Sequence, residues 1–509
     1  MMNPHQYTHI FVLGMIFAFG DAYGIGANDV ANSFATSVSS GSLTLGQAVF
    51  IAIFTEFIGA FFLGAKTSDT IRSKIISTSL FTGKPEILML GMTTSVAGSA
   101  AWVIFATRMG WPVSSTHSIT GAVMGMGIAA YGWNAVVWGY NGVGKVITSW
   151  FVSPVVAAII SAMLFLLTKY LVLERENSFE KGLMAIPFFF FLTFFINLTF
   201  IISKGAPGSA AAANMPFTKA CWISACAAAG IAALSYIFYA SWLRRKIRGR
   251  EDLRWYHIFV TPFLSKRPII PEAPEVADIE SNPEKSTESQ DLVEVEETEK
   301  TLFQKVKDFV MRGIRKDVRN LKNPRLAGVH ARAKKYSSET EFLFEFIQVF
   351  SACTASFAHG SNDVANAVGP LASVYQIWQS GKIPGSKAAI PSWLLAYCAF
   401  GIDVGLATYG YNIMKALGNN ITYTTPSRGF AAELGTSLTV VTASRLGLPV
   451  STTHCITGAM AGVGLCNGDI RAINWKMYAY CFFSWIMTLP AAGLVSGLFF
   501  ALIAYSPQK

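Results

Sequence analysis

The chain of 509 residues is 52% hydrophobic and 14% charged, with 38 Phe and a mean hydropathy of +0.42. That balance excludes an ordinary soluble domain and marks a polytopic membrane protein. A net charge of +10 raises nucleic acid as a partner, but no basic stripe with interleaved aromatics occurs, so the excess is read as a topology signal and no nucleic acid is expected.

Apolar runs of about 20 residues, the length that crosses a bilayer, fall near 10–30, 45–65, 87–107, 113–130, 146–172, 183–202 and 217–243. They resume near 343–362, 388–417, 429–446, 450–466 and 476–505. The predicted fold is all-α, with about twelve transmembrane helices. Nothing before the first run looks like a Lys/Arg-rich leader or a cleavage site, so that run is read as a retained span. The link between runs 87–107 and 113–130 is so short that a re-entrant hairpin fits as well as two full spans. The chain divides into a first membrane repeat (1–172), two additional spans (173–243), a loop (244–341) and a second membrane repeat (342–509).

More than half of all charged residues lie in that loop. Residues 268–300 are acidic and rich in Pro, Glu, Ser and Thr, too poor in apolar side chains to offset ordering entropy, and are predicted to be disordered. Residues 301–335 are basic with scattered apolar positions. They read as a solvated tether or as a helix lying on an anionic leaflet. Seven cysteines, an odd number without a C-x-x-C pair, read as packing residues. Arg244, Arg245, Lys246, Arg248, Arg250 and Arg254 follow the seventh run and form the strongest positive-inside signal. They place the loop in the cytoplasm and, by counting spans, both termini outside. Lys66, Arg72, Lys74 and Lys84 fall in a loop that this scheme calls external and count against it.

Two phrases occur twice. Ala27-Asn28-Asp29-Val30-Ala31-Asn32 returns as Ser361-Asn362-Asp363-Val364-Ala365-Asn366, offset by 334. Pro112-Val113-Ser114-Ser115-Thr116-His117 returns as Pro449-Val450-Ser451-Thr452-Thr453-His454, offset by 337. Two motifs recurring in one order at nearly one spacing mean internal duplication. Seven spans separate the starts of the two repeats, and because seven is odd the repeats are predicted to be inverted, an architecture that puts a transport site where they meet.

The buried polar groups suggest the chemistry. A carboxylate at bilayer depth costs about 2.5–3.5 kcal/mol, so Asp29 and Asp363 need a partner, and a small cation is one. Gly24 and Gly26 are read as permitting a helix break that would expose backbone carbonyls beside Asp29. Hard oxygen ligands from Asp29, Asp363, Asn28, Asn32, Asn362 and Asn366 suit sodium, and His/Cys sets at metal spacing are missing. Glu56 and Glu433 sit at similar depth in places that are not equivalent: Glu433 aligns with Val96, and Glu56 with the stretch around Asp403. Pro112 and Pro449 suit a helix start, so Ser114, Ser115, Thr116, Ser451, Thr452 and Thr453 fall in first turns. Free amides and hydroxyls there make two anion cradles. His117 and His454 are read as hydrogen-bonded structural residues, and Arg108 and Arg445 as flanking cations that attract an anion or snorkel to headgroups. No dinucleotide fingerprint, P-loop or nucleophile set appears, so an enzyme is not expected and uphill movement would draw on an ion gradient.

On these residues the chain resembles the inorganic phosphate transporter (PiT) family, particularly its fungal sodium–phosphate symporters. The resemblance covers both membrane blocks and leaves the loop unassigned. It implies a secondary transporter in the plasma membrane that takes up inorganic phosphate with sodium, or with protons in some members, and uses no cofactor besides the co-transported ion. It further implies sodium coupling at Asp29 and Asp363, a need for Glu56 and Glu433 in phosphate transport, and a shared site lined by the Asn and Ser/Thr groups. Ser361, where the pattern has Gly or Ala, adds a hydroxyl. Proton-coupled symport and a phosphate-sensing receptor are the alternatives. Among assemblies a homodimer is the candidate, on which the residues are silent.

Overall fold

The computed structural model describes residues 2–66, 68–140, 142–204, 215–270, 318–319, 324–385, 388–445, 448 and 450–506. Their regular structure is helical, with three isolated β-bridges. The first half holds α1 (Thr8–Asn28), α2 (Val30–Ser40), α3 (Leu45–Leu63), α4 (Pro85–Arg108), α5 (Ser115–Tyr131) and α6 (Val143–Thr168). Next come α7 (Ser178–Lys204) and α8 (Phe217–Leu234). The second half holds α9 (Ser338–Ser380), α10 (Ser392–Tyr409), α11 (Tyr411–Ile421), α12 (Pro426–Arg445), α13 (Thr452–Leu465) and α14 (Trp475–Ala504).

Each of the twelve predicted runs contains a helix, but not each helix is a span. Among the described residues eight are long and apolar enough to cross a bilayer, or nine if α10 and α11, bent by 66°, form one span. α5 has 17 residues and α13 has 14, so they reach roughly 25 and 21 Å, short of a hydrocarbon core of about 30 Å. α12 carries Arg428, Glu433 and Arg445 and is too polar. The predicted disordered stretch from 271 onward lies outside the described residues. Of the basic stretch, the described part includes a helix over Pro324–Ala331.

The halves interleave. α6 buries Ser149, Ser153, Ala157 and Ser161 on one face, and α14 buries Ser484, Thr488, Ala492 and Ser496 at the same spacing. The opposite faces expose Phe151, Val155, Ile159, Phe483, Leu494 and Leu498, as lipid contact requires. Small residues every fourth position let another helix approach closely. α5 of the first half packs on α14 of the second, and α13 packs on α6. A Cβ at Gly121 or Gly125 would overlap the carbonyl oxygens of Leu489 and Gly493. One at Gly458 or Gly462 would overlap those of Pro154 and Ala158. These are corresponding residues with the halves exchanged, so the duplication seen in sequence is also a reciprocity of contacts.

The helices that carry the first motif run antiparallel. Thr8 meets Trp378, Gly14 meets Val374, Asp29 lies in one group with Asp363, and Ser40 meets Gln348. The predicted helix break at this motif does not occur. Asp29 keeps helical dihedrals (φ −86°, ψ −35°) between α1 and α2, and α9 runs unbroken through its own copy for 43 residues. The glycines serve close approach instead: a Cβ at Gly26 would overlap the Ile402 carbonyl, and one at Gly360 the Glu56 carbonyl. The interruptions lie in the second phrase, where the non-helical stretches before α5 and α13 lead into the two short helices.

Candidate functional site

The four copies of the two phrases converge in one buried place, because the motif helices cross at their midpoints and the short helices α5 and α13 start beside the crossing. Asp29, Asp363 and His359 each offer a ligand atom within 4.8 Å of the others', and all three are buried. The Ser115 N–H donates to Asp29 Oδ2 (3.0 Å) and the Thr453 hydroxyl to Oδ1 (2.9 Å). Asp363 accepts from Asn362 Nδ2 (2.8 Å) and the Thr452 hydroxyl (3.0 Å). Each aspartate is therefore bonded to residues at the start of a short helix, where amides and hydroxyls favour negative charge.

Hydrogen bonds also cross between the halves in reciprocal fashion. Asn32 donates to Thr453 Oγ1 (2.7 Å), while Asn366 donates to Ser115 Oγ (3.0 Å) and Thr116 Oγ1 (3.2 Å). Ser114 and Ser451 do something else: each caps its helix by accepting from the N–H of His117 or His454 at 3.4 and 3.3 Å. Asn28 is likewise occupied. Its Nδ2 donates to Thr107 Oγ1 (2.9 Å) and the Trp111 carbonyl (3.0 Å), and its Oδ1 accepts from the Val113 N–H (3.0 Å). It clamps the turn that leads into α5, whereas its counterpart Asn362 donates to Asp363 instead. Ser361 donates to the Ala358 carbonyl at 2.8 Å.

Glu56 joins the cluster through a residue that the motifs do not contain. His359 Nδ1 lies 2.9 Å from Glu56 Oε2, and its Nε2 lies 2.7 Å from Asp363 Oδ2, within ion-pair range though out of line for a hydrogen bond. Ser356 donates to the other Glu56 oxygen (2.8 Å). The signal was present in the aligned repeats: His359 stands where the first copy has Ile25. The contacts of Gly26 and Gly360 place Glu56 opposite Ile402. Glu433 occupies a separate buried place between α2, α9 and α12. The hydroxyls of Thr36 (2.6 Å), Ser37 (2.7 Å) and Ser351 (2.5 Å) and the Gln348 carboxamide (3.2 Å) all donate to it.

One expectation fails. Neither ring nitrogen of His117, nor Nδ1 of His454, has a hydrogen-bond partner among the described residues. The two rings face each other with centroids 4.6 Å apart, flanked by Trp150 and Trp485. They pack as aromatic surface where α5 and α13 meet. Arg108 is exposed, while Pro449 and the Arg445 side chain lie outside the described residues.

As a whole the site presents three carboxylates, one imidazole, and the hydroxyls and amides of two helix starts, sealed from lipid. Hard oxygen donors of this kind bind small cations, and the helix starts bind anions.

Comparison with known proteins agrees with that donor set. The chain is 37% identical to the phosphate-repressible phosphate permease of Neurospora crassa, across 100% of this chain and 99% of that one. It is 28% identical to sodium-dependent phosphate transporter 1 of Mus musculus, across 99% and 96% of the two. A solved structure described as the sodium-dependent phosphate transporter superposes with a TM-score of 0.71 at 29% identity, covering 98% of this chain and 100% of that one. The model of the phosphate transporter family matches residues 25–496, and the chain belongs to that family.

Proposed function

We propose that the protein is a secondary transporter that moves inorganic phosphate with sodium by alternating access. The observation that carries this reading is the convergence of Asp29 and Asp363 on the starts of α5 and α13. That arrangement supports a cation site and an anion site in contact with each other. Sodium is held by Asp29 and Asp363 with Asn32, Asn362 and Asn366 around them. Phosphate is met by Ser115, Thr116, Thr452 and Thr453, while Ser114, Ser451 and Asn28 hold the cradles in shape. Glu56 and Glu433 complete the acids on which transport depends. Because the Ser115 amide and the Thr453 hydroxyl are bonded to Asp29, a cation that drew Asp29 away would free these donors for phosphate. Binding of the two ions is thereby coupled.

The antiparallel motif helices and reciprocal contacts support an inverted repeat, and the juxtamembrane cluster that begins at Arg244 supports a cytoplasmic loop, with the plasma membrane as location. Arg72, which counted against that orientation, is buried and bonded to the Ala388 and Gly385 carbonyls, so it is not a free loop charge. The deciding experiment is labelled-phosphate uptake into proteoliposomes under an imposed sodium gradient, then under a proton gradient at matched potential. Accumulation driven by sodium is expected, and accumulation driven by protons alone would reassign the acids as proton carriers.

A further inference from the structure

A pocket of about 280 Å³ lies apart from the transport site, between the far end of α8 and the start of α9. α8 continues as helix to Arg248, and Tyr239, Trp242 and Lys246 line the pocket from one face of that continuation. On α9, Phe342, Glu345 and Phe346 line it at the matching helical spacing. The space admits a charged group with its substituents and not just one water, whose share of liquid volume is about 30 Å³. The four rings form a continuous wall. Ring centroids lie 6.3 Å apart for Phe342 and Trp242, 6.0 Å for Trp242 and Tyr239, and 4.9 Å for Tyr239 and Phe346.

Two opposite charges line this pocket without meeting. Lys246 donates to the Leu253 carbonyl (2.7 Å) and lies over the Trp242 ring, 5.3 Å from its centroid. Glu345 is half-buried and has no hydrogen-bond or ion-pair partner among the described residues. The chain that closes the pocket, with Trp255 and Ile258 in its wall, makes two short 3₁₀ turns, Trp255–Phe259 and Thr261–Phe263. These turns leave Trp255 72%, Phe259 68% and Phe263 84% exposed. Aromatic rings so bare, beside Arg244, Arg245, Lys246 and Arg248, belong at the boundary between lipid and water.

We propose that this pocket binds the headgroup of a choline phospholipid, with the trimethylammonium against Glu345 and the aromatic wall and the phosphate toward Lys246. Ring faces attract a cation, and the Lys246 ammonium over Trp242 shows the wall already doing so. The remaining charge pattern matches a zwitterion. An acyl chain in the pocket would leave Glu345 and Lys246 facing apolar atoms with no compensation. A purely anionic headgroup would meet the Glu345 charge. The primary ammonium of an ethanolamine headgroup needs acceptors for three N–H groups where the pocket offers mostly ring carbon, whereas a trimethylammonium needs none. A soluble choline compound shares this chemistry, but the exposed aromatics at the rim put the mouth of the pocket at the bilayer surface, so the occupant is the lipid. The site is independent of which ion drives transport.

The test places the full chain in nanodiscs holding phosphatidylcholine, phosphatidylethanolamine and phosphatidylglycerol in equal amounts, and reads the lipid retained by native mass spectrometry after loosely held lipid is stripped. Wild type is expected to keep one phosphatidylcholine per chain. Glu345→Gln should lower that retention by about tenfold or more, since it removes the charged partner of the headgroup. Trp255→Ala, at an exposed rim position, should lower it in the same direction. Retention of the three lipids in their bulk proportions by wild type would overturn the proposal without any variant, as would a preference for phosphatidylglycerol or phosphatidylethanolamine. Retention unchanged in both variants would overturn it equally.

Discussion

Asp29→Asn is the sharpest test of the cation site, because the substitution removes a charge and little else. Asp29 accepts two hydrogen bonds, from the Ser115 N–H at 3.0 Å and the Thr453 hydroxyl at 2.9 Å. Asparagine keeps one acceptor oxygen for the amide, and the hydroxyl has the Val113 carbonyl at 3.0 Å as a second acceptor. The fold is therefore expected to survive. What is lost is the attraction for a cation lying between carboxylates whose oxygens stand within 4.8 Å of one another. A unit charge about 4 Å away in a medium of effective dielectric near 20 contributes about 4 kcal/mol, or roughly three powers of ten in affinity. The sodium concentration needed for half-maximal uptake should rise steeply, beyond the physiological range, with phosphate uptake lost at ordinary sodium. The assay is labelled-phosphate uptake against sodium concentration in proteoliposomes, with the melting temperature of the purified protein as the control for folding. Asp363→Asn should act in the same direction. An unchanged sodium requirement in both variants, with uptake intact, would refute the cation role of the pair.

Other substitutions probe the frame around the site and the loop. Glu433→Ala leaves four donors facing a void and should lower stability by about 3 kcal/mol or more, read by thermal unfolding in detergent. Glu433→Gln, which keeps one acceptor, should cost less stability and still impair uptake. Gly125→Ala and Gly462→Ala push against the backbones of α14 and α6 and should each destabilise by about 1–3 kcal/mol. Gly230→Ala, with nothing within 4 Å of its added Cβ, should be neutral or slightly stabilising. In the loop, the Arg245 side-chain hydrogen bond holds the Glu251 carboxyl below the usual carboxylate range. A depressed pKa gives stability that is present at neutral pH and lost as pH falls through the folded value. The segment 249–268 should therefore gain hydrogen exchange below about pH 4, and Glu251→Gln should show that exchange already at pH 7.

The duplication made most of the site legible in advance. Asp29 with Asp363, and Ser115 and Thr116 with Thr452 and Thr453, were found because each phrase repeats and each copy puts polar atoms where the surroundings are apolar. Their meeting across the halves followed from the repeat alone. Less legible was the backbone. Gly24 and Gly26 read equally well as a helix breaker or as a notch for a neighbouring helix. Only the presence of the Ile402 carbonyl against Gly26 decides between them, and sequence does not carry that information. His117 looked like a hydrogen-bonding residue because imidazole usually is one. Its true neighbours, His454 and Trp150, are brought in by the interleaving of α5, α13 and α6. The jobs of Ser114 and Asn28 escaped for a similar reason: a cap and a clamp use the same atoms as a ligand would.

Aligning the halves for their differences gives a stronger result than aligning them for their likeness. Where they agree, the groups are the carboxamides, the hydroxyls at two helix starts and one aspartate each, a set that suits one anion together with a cation where the halves meet. Where they differ, a titratable group replaces an apolar one: His359 for Ile25, Glu56 for Ile402, Glu433 for Val96, Asp21 for Ala355. A transporter that were symmetric in every charge would meet its substrate identically from either side, and its ions would have no preferred side for release. Differences at these titratable groups would leave the paired helix starts closely alike in both facing states while the surroundings of a cation change. On the proposed function, then, the matched hydroxyls, carboxamides and aspartates hold what is carried, and the unmatched acids with His359 give the two facing states different charge around it.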